Sequence, residues 1–268
     1  MFINSINPIF IEAGPIVIRW YGLFLAIGVL CSVLIITKLF KQTKLRPQDA
    51  VDLCIWLIIG GLIGARIGEV LFYEPAFYFS HPLEIIFINH GGLSSHGMTL
   101  GLLIAFYIFV RYHLTPAPSP SKGEGNWKRI ADLLIIPIPL LAAFIRIGNF
   151  FNSEIVGKAT NLPWGVKFPL YEASPIFRHP SQLYESLISL SLFISLYFIY
   201  KKYGPKLPQL FLTHLFLLLY FFSRFLIEFL KADYQTSLGL TMGQILGVPF
   251  ILWSVGWFIQ NFEYKKRT

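Results

Sequence analysis

The sequence predicts an all-α integral membrane protein of about seven transmembrane helices with a small external segment between spans four and five, and three observations predict it. Of its 268 residues 55% are apolar, 17% aromatic and only 13% charged, against about 25% charged in a typical soluble domain. The apolar residues gather into stretches of about 20, the length that crosses a bilayer at ~1.5 Å per residue. Runs such as Leu23 to Ile36 and Leu187 to Tyr200 are apolar or small on every side, whereas a membrane barrel alternates apolar and polar with period two.

Seven windows follow in order, at about 17–38, 50–71, 97–114, 130–150, 182–200, 209–230 and 240–260, the third and fourth being the least sharply bounded. They make residues 1–268 a single polytopic domain. The link from His113 to Arg129 carries Pro116, Pro118, Pro120, Gly123 and Gly125, a composition expected of a flexible loop at about 115–126. An external segment is expected at about 151–180. Residues 1–18 carry Glu12 and no Lys or Arg, so they lack the basic n-region of a cleavable signal and the first helix is expected to stay. Cys31 and Cys54 sit inside apolar runs and read as core residues rather than metal ligands.

The charge of +8 points to topology before it points to nucleic acid. Fourteen Lys and Arg fall in the links on one side of the seven windows and four on the other, and the positive-inside rule puts the fourteen in the cytoplasm, the N-terminus outside and the C-terminus inside. The remaining four basic residues are all arginines within or at the edge of spans: Arg19, Arg66, Arg146 and Arg224. Each costs about 2.5–3.5 kcal/mol at a helix centre. Arg66 has Glu69 three residues on and Arg224 has Glu228 four on, at helical contact spacing, so structural ion pairs are one reading. Guanidinium forks for a phosphate or carboxylate are the other, favoured by the absence of Lys from the set.

Polar motifs mark the ends of the windows. His90-Gly-Gly-Leu-Ser-Ser-His96-Gly97 opens span three. Its two histidines stand six apart and share no helical face, which disfavours a metal site; His96 reads either as an interfacial cap or as a general base, a role to which imidazole is suited at neutral pH. Arg146 to Gly157 places Arg146 and Asn149 three apart at the end of span four, followed by Asn152 and Glu154. Arg178 to Glu185 leads into span five, Arg224 to Phe229 ends span six, and Arg19-Trp20-Tyr21-Gly22 opens span one. The spacing of Gly60, Gly64 and Gly68 reads as helix packing.

Taken together, HGGLSSHG at 90–97, RIGNFFNSEIVG at 146–157, RHPSQLYE at 178–185, RFLIEF at 224–229 and RWYGL at 19–23 resemble the bacterial prolipoprotein diacylglyceryl transferases, over nearly the whole chain. Phe144 departs from the family, which commonly has glycine there, and the Pro-rich loop looks like an insertion. The resemblance implies an enzyme of the cell inner membrane that moves the diacylglyceryl group of phosphatidylglycerol onto the thiol of the lipobox cysteine of a preprolipoprotein, releasing glycerol phosphate. It implies no cofactor and no metal. It also implies His96, Arg146 and Arg224 as catalytic residues and Tyr21, Asn149, Glu154, Gly157 and Glu228 as substrate-binding ones, with Arg66 joining them on the strength of its intramembrane charge. A transporter or lipid translocase is the competing class; it predicts an internal duplication, which the two halves of the sequence do not show. A retinal protein would need a Lys in the last span, and 240–260 has none.

The topology is open to a direct check. A reporter fused after Arg267 should be cytoplasmic and one inserted between Glu74 and Asn89 external; finding both on one side contradicts the seven-span reading.

Overall fold

The computed structural model describes residues 2–14, 16–42, 46–88, 91–113, 120–232 and 239–267. Nine α-helices are described: α1 (Trp20–Phe40), α2 (Pro47–Phe72), α3 (Pro75–Ser80), α4 (Ser95–Tyr112), α5 (Pro120–Ile135), α6 (Ile138–Phe151), α7 (Ser181–Tyr203), α8 (Phe211–Ile227) and α9 (Met242–Arg267). Among the described residues six stretches have the length and composition to cross a membrane: α1, α2, the α5–α6 stretch Trp127–Phe151, α7, α8 extended to Leu230, and α9 to Asn261. The third expected window is also a helix, α4, but it is only 18 residues long and carries His96 and Arg111 near its ends, so composition leaves it out of the six. The backbone is helical from Pro120, inside the expected loop, in keeping with the preference of Pro for a first helical turn. The rest of that loop, 115–119, lies outside the described residues, as does His90.

The chain divides into two compact units, Met1–Ile35 with Lys128–Thr268, and Ile36–Trp127. The second unit is built on the pairing of α2 with α4, and glycine makes it possible. A Cβ on Gly101 would stand 2.1 Å from the carbonyl oxygen of Gly60, and one on Gly64 would stand 2.4 Å from that of Gly97. Backbones approach this closely only where neither helix carries a side chain. The helix-packing expectation for Gly60, Gly64 and Gly68 thus holds.

The first unit packs α6 on α7, α7 on α8 and α8 on α9. Ser181, Gln182, Glu185, Ser186 and Ser189 form a buried polar stripe down α7, and Ser186 donates to the Ala143 carbonyl of α6 at 3.1 Å. Phe144 has room because α1 offers Gly28 opposite: a Cβ on Gly28 would come within 3.1 Å of the Phe144 Cβ. At the far end of α8, Asp132 accepts hydrogen bonds from the backbone N–H groups of Leu210 and Thr213 at 2.7 and 2.9 Å. It thereby caps the helix start that follows the left-handed Leu210.

Small sheets accompany the helices, an addition to the all-α expectation. The pair β2 (Ile9–Ala13) and β3 (Ile16–Arg19) forms an antiparallel hairpin that runs directly into α1. A three-stranded sheet joins β1 (Phe2–Ile3), β4 (Val166–Lys167) and β5 (Phe177–Arg178), with β1 parallel to β4 and β4 antiparallel to β5. Beneath it Phe150, Val156, Val166 and Phe168 close a small core. Arg178 grips this segment: Nε and Nη2 donate to the two Glu172 carboxylate oxygens at 2.5 and 2.8 Å, and Nη1 donates to the Gly157 carbonyl at 3.2 Å.

The hydrogen bonds from Arg178 hold the Glu172 carboxyl below its ordinary range, while the carboxylate raises the Arg178 guanidinium. A depressed carboxyl stabilises the fold above its unfolded-state pKa of about 4.3 and ceases to do so as pH falls through the lowered value. Glu172→Gln should therefore lower the melting temperature near pH 7, and the gap to the native chain should close as the pH falls below about 4. A gap independent of pH in thermal melts would rule this pair out as its source.

Candidate functional site

The first unit brings most of the expected residues together where α6, α7 and α8 meet. An open cleft is lined by Arg146, Glu185, Ser189, Tyr220, Ser223 and Arg224, with apolar walls from Ala142, Ile188 and Ile227. Both guanidiniums belong to helices apolar enough to cross a membrane, where a bare charge is costly. Their partners explain how they stay there.

Arg146 Nε pairs with Glu185 Oε2. Glu185 Oε1 lies 2.6 Å from Lys231 Nζ, which lies 3.0 Å from Glu228 Oε2. Glu228 stands one helical turn beyond Arg224, at contact spacing, with no ion pair between the two among the described residues. Gly243, the second residue of α9, leaves the space for both: a Cβ there would stand 2.7 Å from Glu228 Oε1 and 3.5 Å from Arg224 Nε. The result is a run of alternating sign, Arg146, Glu185, Lys231 and Glu228 joined by ion pairs and Arg224 next in line, in which the two ends are cations and both face the cleft.

A second arm leaves Arg146. Its Nη1 donates to Asn149 Oδ1 at 3.2 Å, and Asn149 Nδ2 donates to Glu154 Oε2 at 3.1 Å. Asn152 donates to the other Glu154 oxygen at 3.1 Å. Ser153 and Ile155, on either side of Glu154, both have φ of 56°, a left-handed backbone that is a genuine outlier for a β-branched residue. The strained turn is held from three directions. Asn4 Nδ2 donates to the Phe150 carbonyl at 2.7 Å, Ser181 Oγ to that of Ile155 at 2.8 Å and Gln182 Nε2 to that of Glu154 at 2.6 Å. Tyr21, at the start of α1, packs its backbone on Gly148 of α6, where a Cβ would stand 3.0 Å from the Tyr21 Cα.

Gly157 lies at a crossing of three backbones. A Cβ on it would come within 2.6 Å of the His179 carbonyl and 2.8 Å of that of Leu230. Without one, residue 157 forms a bridge with Lys231, flanked by hydrogen bonds from Lys158 N to the Leu230 carbonyl (2.7 Å) and from Ala232 N to that of Val156 (3.3 Å). This fixes the backbone from which Lys231 reaches inward.

His96 and Arg66 belong to the second unit. His96 is exposed in the first turn of α4, with its Nδ1 3.1 Å from the Tyr73 hydroxyl. The cap of that helix is Ser94, whose Oγ accepts from Gly97 N at 3.1 Å, so the ring of His96 is not spent on capping. Arg66 is buried and donates to the Tyr78 hydroxyl at 2.6 Å and to the carbonyls of Phe87 and Gly92 at 2.7 and 3.1 Å. Among the described residues it makes no ion pair with Glu69, the partner that spacing alone suggested. Among the described residues there is also no group of His, Cys, Asp and Glu arranged to hold a metal ion.

Sequence reading missed Glu185, Lys231, Gly243 and Tyr73. Glu185 closes a motif that was noticed, and Lys231 follows Glu228 by three residues, so helical spacing could have paired the second with Glu228; nothing local points to its contact with Glu185.

Residues 8–260 match the family model described as prolipoprotein diacylglyceryl transferase. Three relatives carry the name phosphatidylglycerol–prolipoprotein diacylglyceryl transferase. The chain is 38% identical to the one from Tolumonas auensis over 271 residues, covering 100% of both chains. It is 40% identical to that from Chloroherpeton thalassium over 252 residues (92% of this chain, 90% of the relative). It is 35% identical to that from Bacteroides fragilis over 277 residues (98% and 95%). With three of its motifs contributing Arg146, Glu185 and Arg224 to one cleft and its likeness running the length of these relatives, this multi-pass membrane protein belongs to the prolipoprotein diacylglyceryl transferase family.

Proposed function

We propose that the chain transfers the diacylglyceryl group of phosphatidylglycerol to the thiol of the lipobox cysteine of a preprolipoprotein, in the bacterial inner membrane, with its N-terminus outside, its C-terminus in the cytoplasm and α4 as the seventh crossing. The observation that carries this reading is the pair of guanidiniums at the ends of one alternating ion chain, facing a cleft walled by membrane-spanning helices. A phospholipid offers such a cleft a phosphodiester bearing one charge, with its acyl chains in the surrounding lipid.

The chemistry follows from what must move. The substrate sulfur forms a bond to the terminal carbon of the diacylglyceryl group, and the bond from that carbon to the phosphate oxygen breaks. The electron pair leaves with glycerol phosphate, whose charge rises as it becomes a monoester. Groups that hold the phosphate more tightly late in the reaction lower the barrier, and Arg146 and Arg224 are suited to it by their forked donors. The attacking thiol, with an ordinary pKa of about 8.5, is mostly protonated at neutral pH. His96 takes that proton: its ring is exposed, free of capping and held by Tyr73. Glu228 and Glu154 orient cations and amides rather than transfer protons. Arg66, spent on Tyr78 and two carbonyls, shapes the segment ahead of α4.

The test is incubation of the reconstituted protein with phosphatidylglycerol and a lipobox peptide, following glycerol phosphate release. The native chain should release it in step with peptide lipidation, and His96→Gln should lose about 10²-fold or more of the rate, partly recovered as the pH approaches that of thiolate formation. No release by the native chain contradicts the assignment, and a folded His96→Gln enzyme without pH rescue removes His96 as the base.

A further inference from the structure

Lys231 lies behind the cleft rather than in it. It is 2% exposed, it is absent from the cleft lining, and its ammonium group is engaged by Glu185 and Glu228, carboxylates from two different elements. A charge placed this way touches no substrate. Its effect is on the sign of the site. Arg146 and Arg224 alone would be matched by the two glutamates, leaving a cleft with no formal excess of charge. Lys231 adds the third cation, so the five-membered chain ends on guanidiniums and carries one net positive charge. Glu154 does not cancel that charge, because it is exposed to solvent and separated from Arg146 by Asn149, where screening is strong.

We propose that Lys231 is a positioning residue that sets the net charge of the headgroup cleft, and that this charge selects a headgroup bearing one negative charge over a zwitterionic one. The inference rests on the functional reading above for the identity of the lipid. A zwitterionic headgroup brings its own ammonium, which would face Arg146 and Arg224 at close range in a site of low dielectric, where like charges repel strongly. A monoanionic headgroup neutralises the excess. The backbone of Lys231 is fixed by its bridge to Gly157, which keeps the ammonium between the carboxylates and ties the charge of the cleft to the glycine-containing motif.

The test compares the native chain with K231R, K231M, E228Q and K231M/E228Q in nonionic detergent. Binding of glycerophosphoglycerol, a phosphodiester with one negative charge, and of the zwitterion glycerophosphoethanolamine is measured by calorimetry, the transfer rate separately, and thermal melts report folding. K231M should bind glycerophosphoglycerol about tenfold or more weakly and lose most of its preference over glycerophosphoethanolamine. K231R should retain both. In K231M/E228Q a cation and a carboxylate leave together, so the preference should return toward the native value, and the double variant should bind more weakly than E228Q alone. A folded K231M with unchanged preference overturns the proposal, as does a double variant no better than K231M, which would make Lys231 a purely structural tie. Should K231M fail to fold, the comparison of E228Q with K231M/E228Q decides alone, and equal affinities overturn the proposal. A native chain that shows the preference but transfers nothing would contradict the functional reading instead.

Discussion

Five side chains of alternating charge, Arg146, Glu185, Lys231 and Glu228 joined by ion pairs and Arg224 one helical turn from Glu228, are the constraint on which the first unit depends. They come from α6, α7, the end of α8 and the turn after it, and none could be buried alone. Removing one partner from such a set leaves an uncompensated buried charge at a cost of about 3–5 kcal/mol, so the helices that carry them are tied into one arrangement. Stability is not the only consequence. Because the chain has an odd number of members, it must end on like charges, and here those ends are the cations that line the cleft.

Much of the surrounding architecture serves to hold that chain in place. Gly243 leaves room for Glu228 beside Arg224, and Gly157 lets a backbone cross between His179 and Leu230 so that Lys231 enters from a fixed point. The left-handed turn around Glu154 is held by Asn4, Ser181 and Gln182, which anchors Asn149 and through it Arg146. In each case a glycine or a strained residue stands where an ordinary side chain or backbone would force the charges apart.

The helices were legible because apolar runs of membrane length have few other fates, and the arginines were legible because a charge in such a run demands an explanation. The partners were not. Lys231 looked like one more charge in a link, and only the folded backbone shows it turned inward. Glu185 was visible in its motif, but its two partners lie on other elements, and no local spacing announces a contact between helices. Arg66 shows the opposite failure, since Glu69 stands at the right spacing and the guanidinium bonds to Tyr78, Phe87 and Gly92 instead. The hairpin β2–β3 escaped notice because short strands beside a long apolar helix leave little periodicity to read. Phe144, a departure from the family pattern, is accommodated by Gly28 on the neighbouring helix, a compensation that a motif-by-motif comparison does not reveal.

The central claim, that the cationic ends of this chain grip a lipid phosphate, can be measured without reference to turnover. Solid-state NMR on the bilayer-embedded protein, with arginine guanidiniums labelled with nitrogen-15, reads their dipolar coupling to the phosphorus of phosphatidylglycerol. Direct hydrogen bonds place nitrogen and phosphorus about 4 Å apart or less, so two guanidinium signals should dephase, one disappearing in Arg146→Lys and the other in Arg224→Lys. A full set of guanidinium signals without phosphorus dephasing, or dephasing that survives both substitutions, would contradict the account.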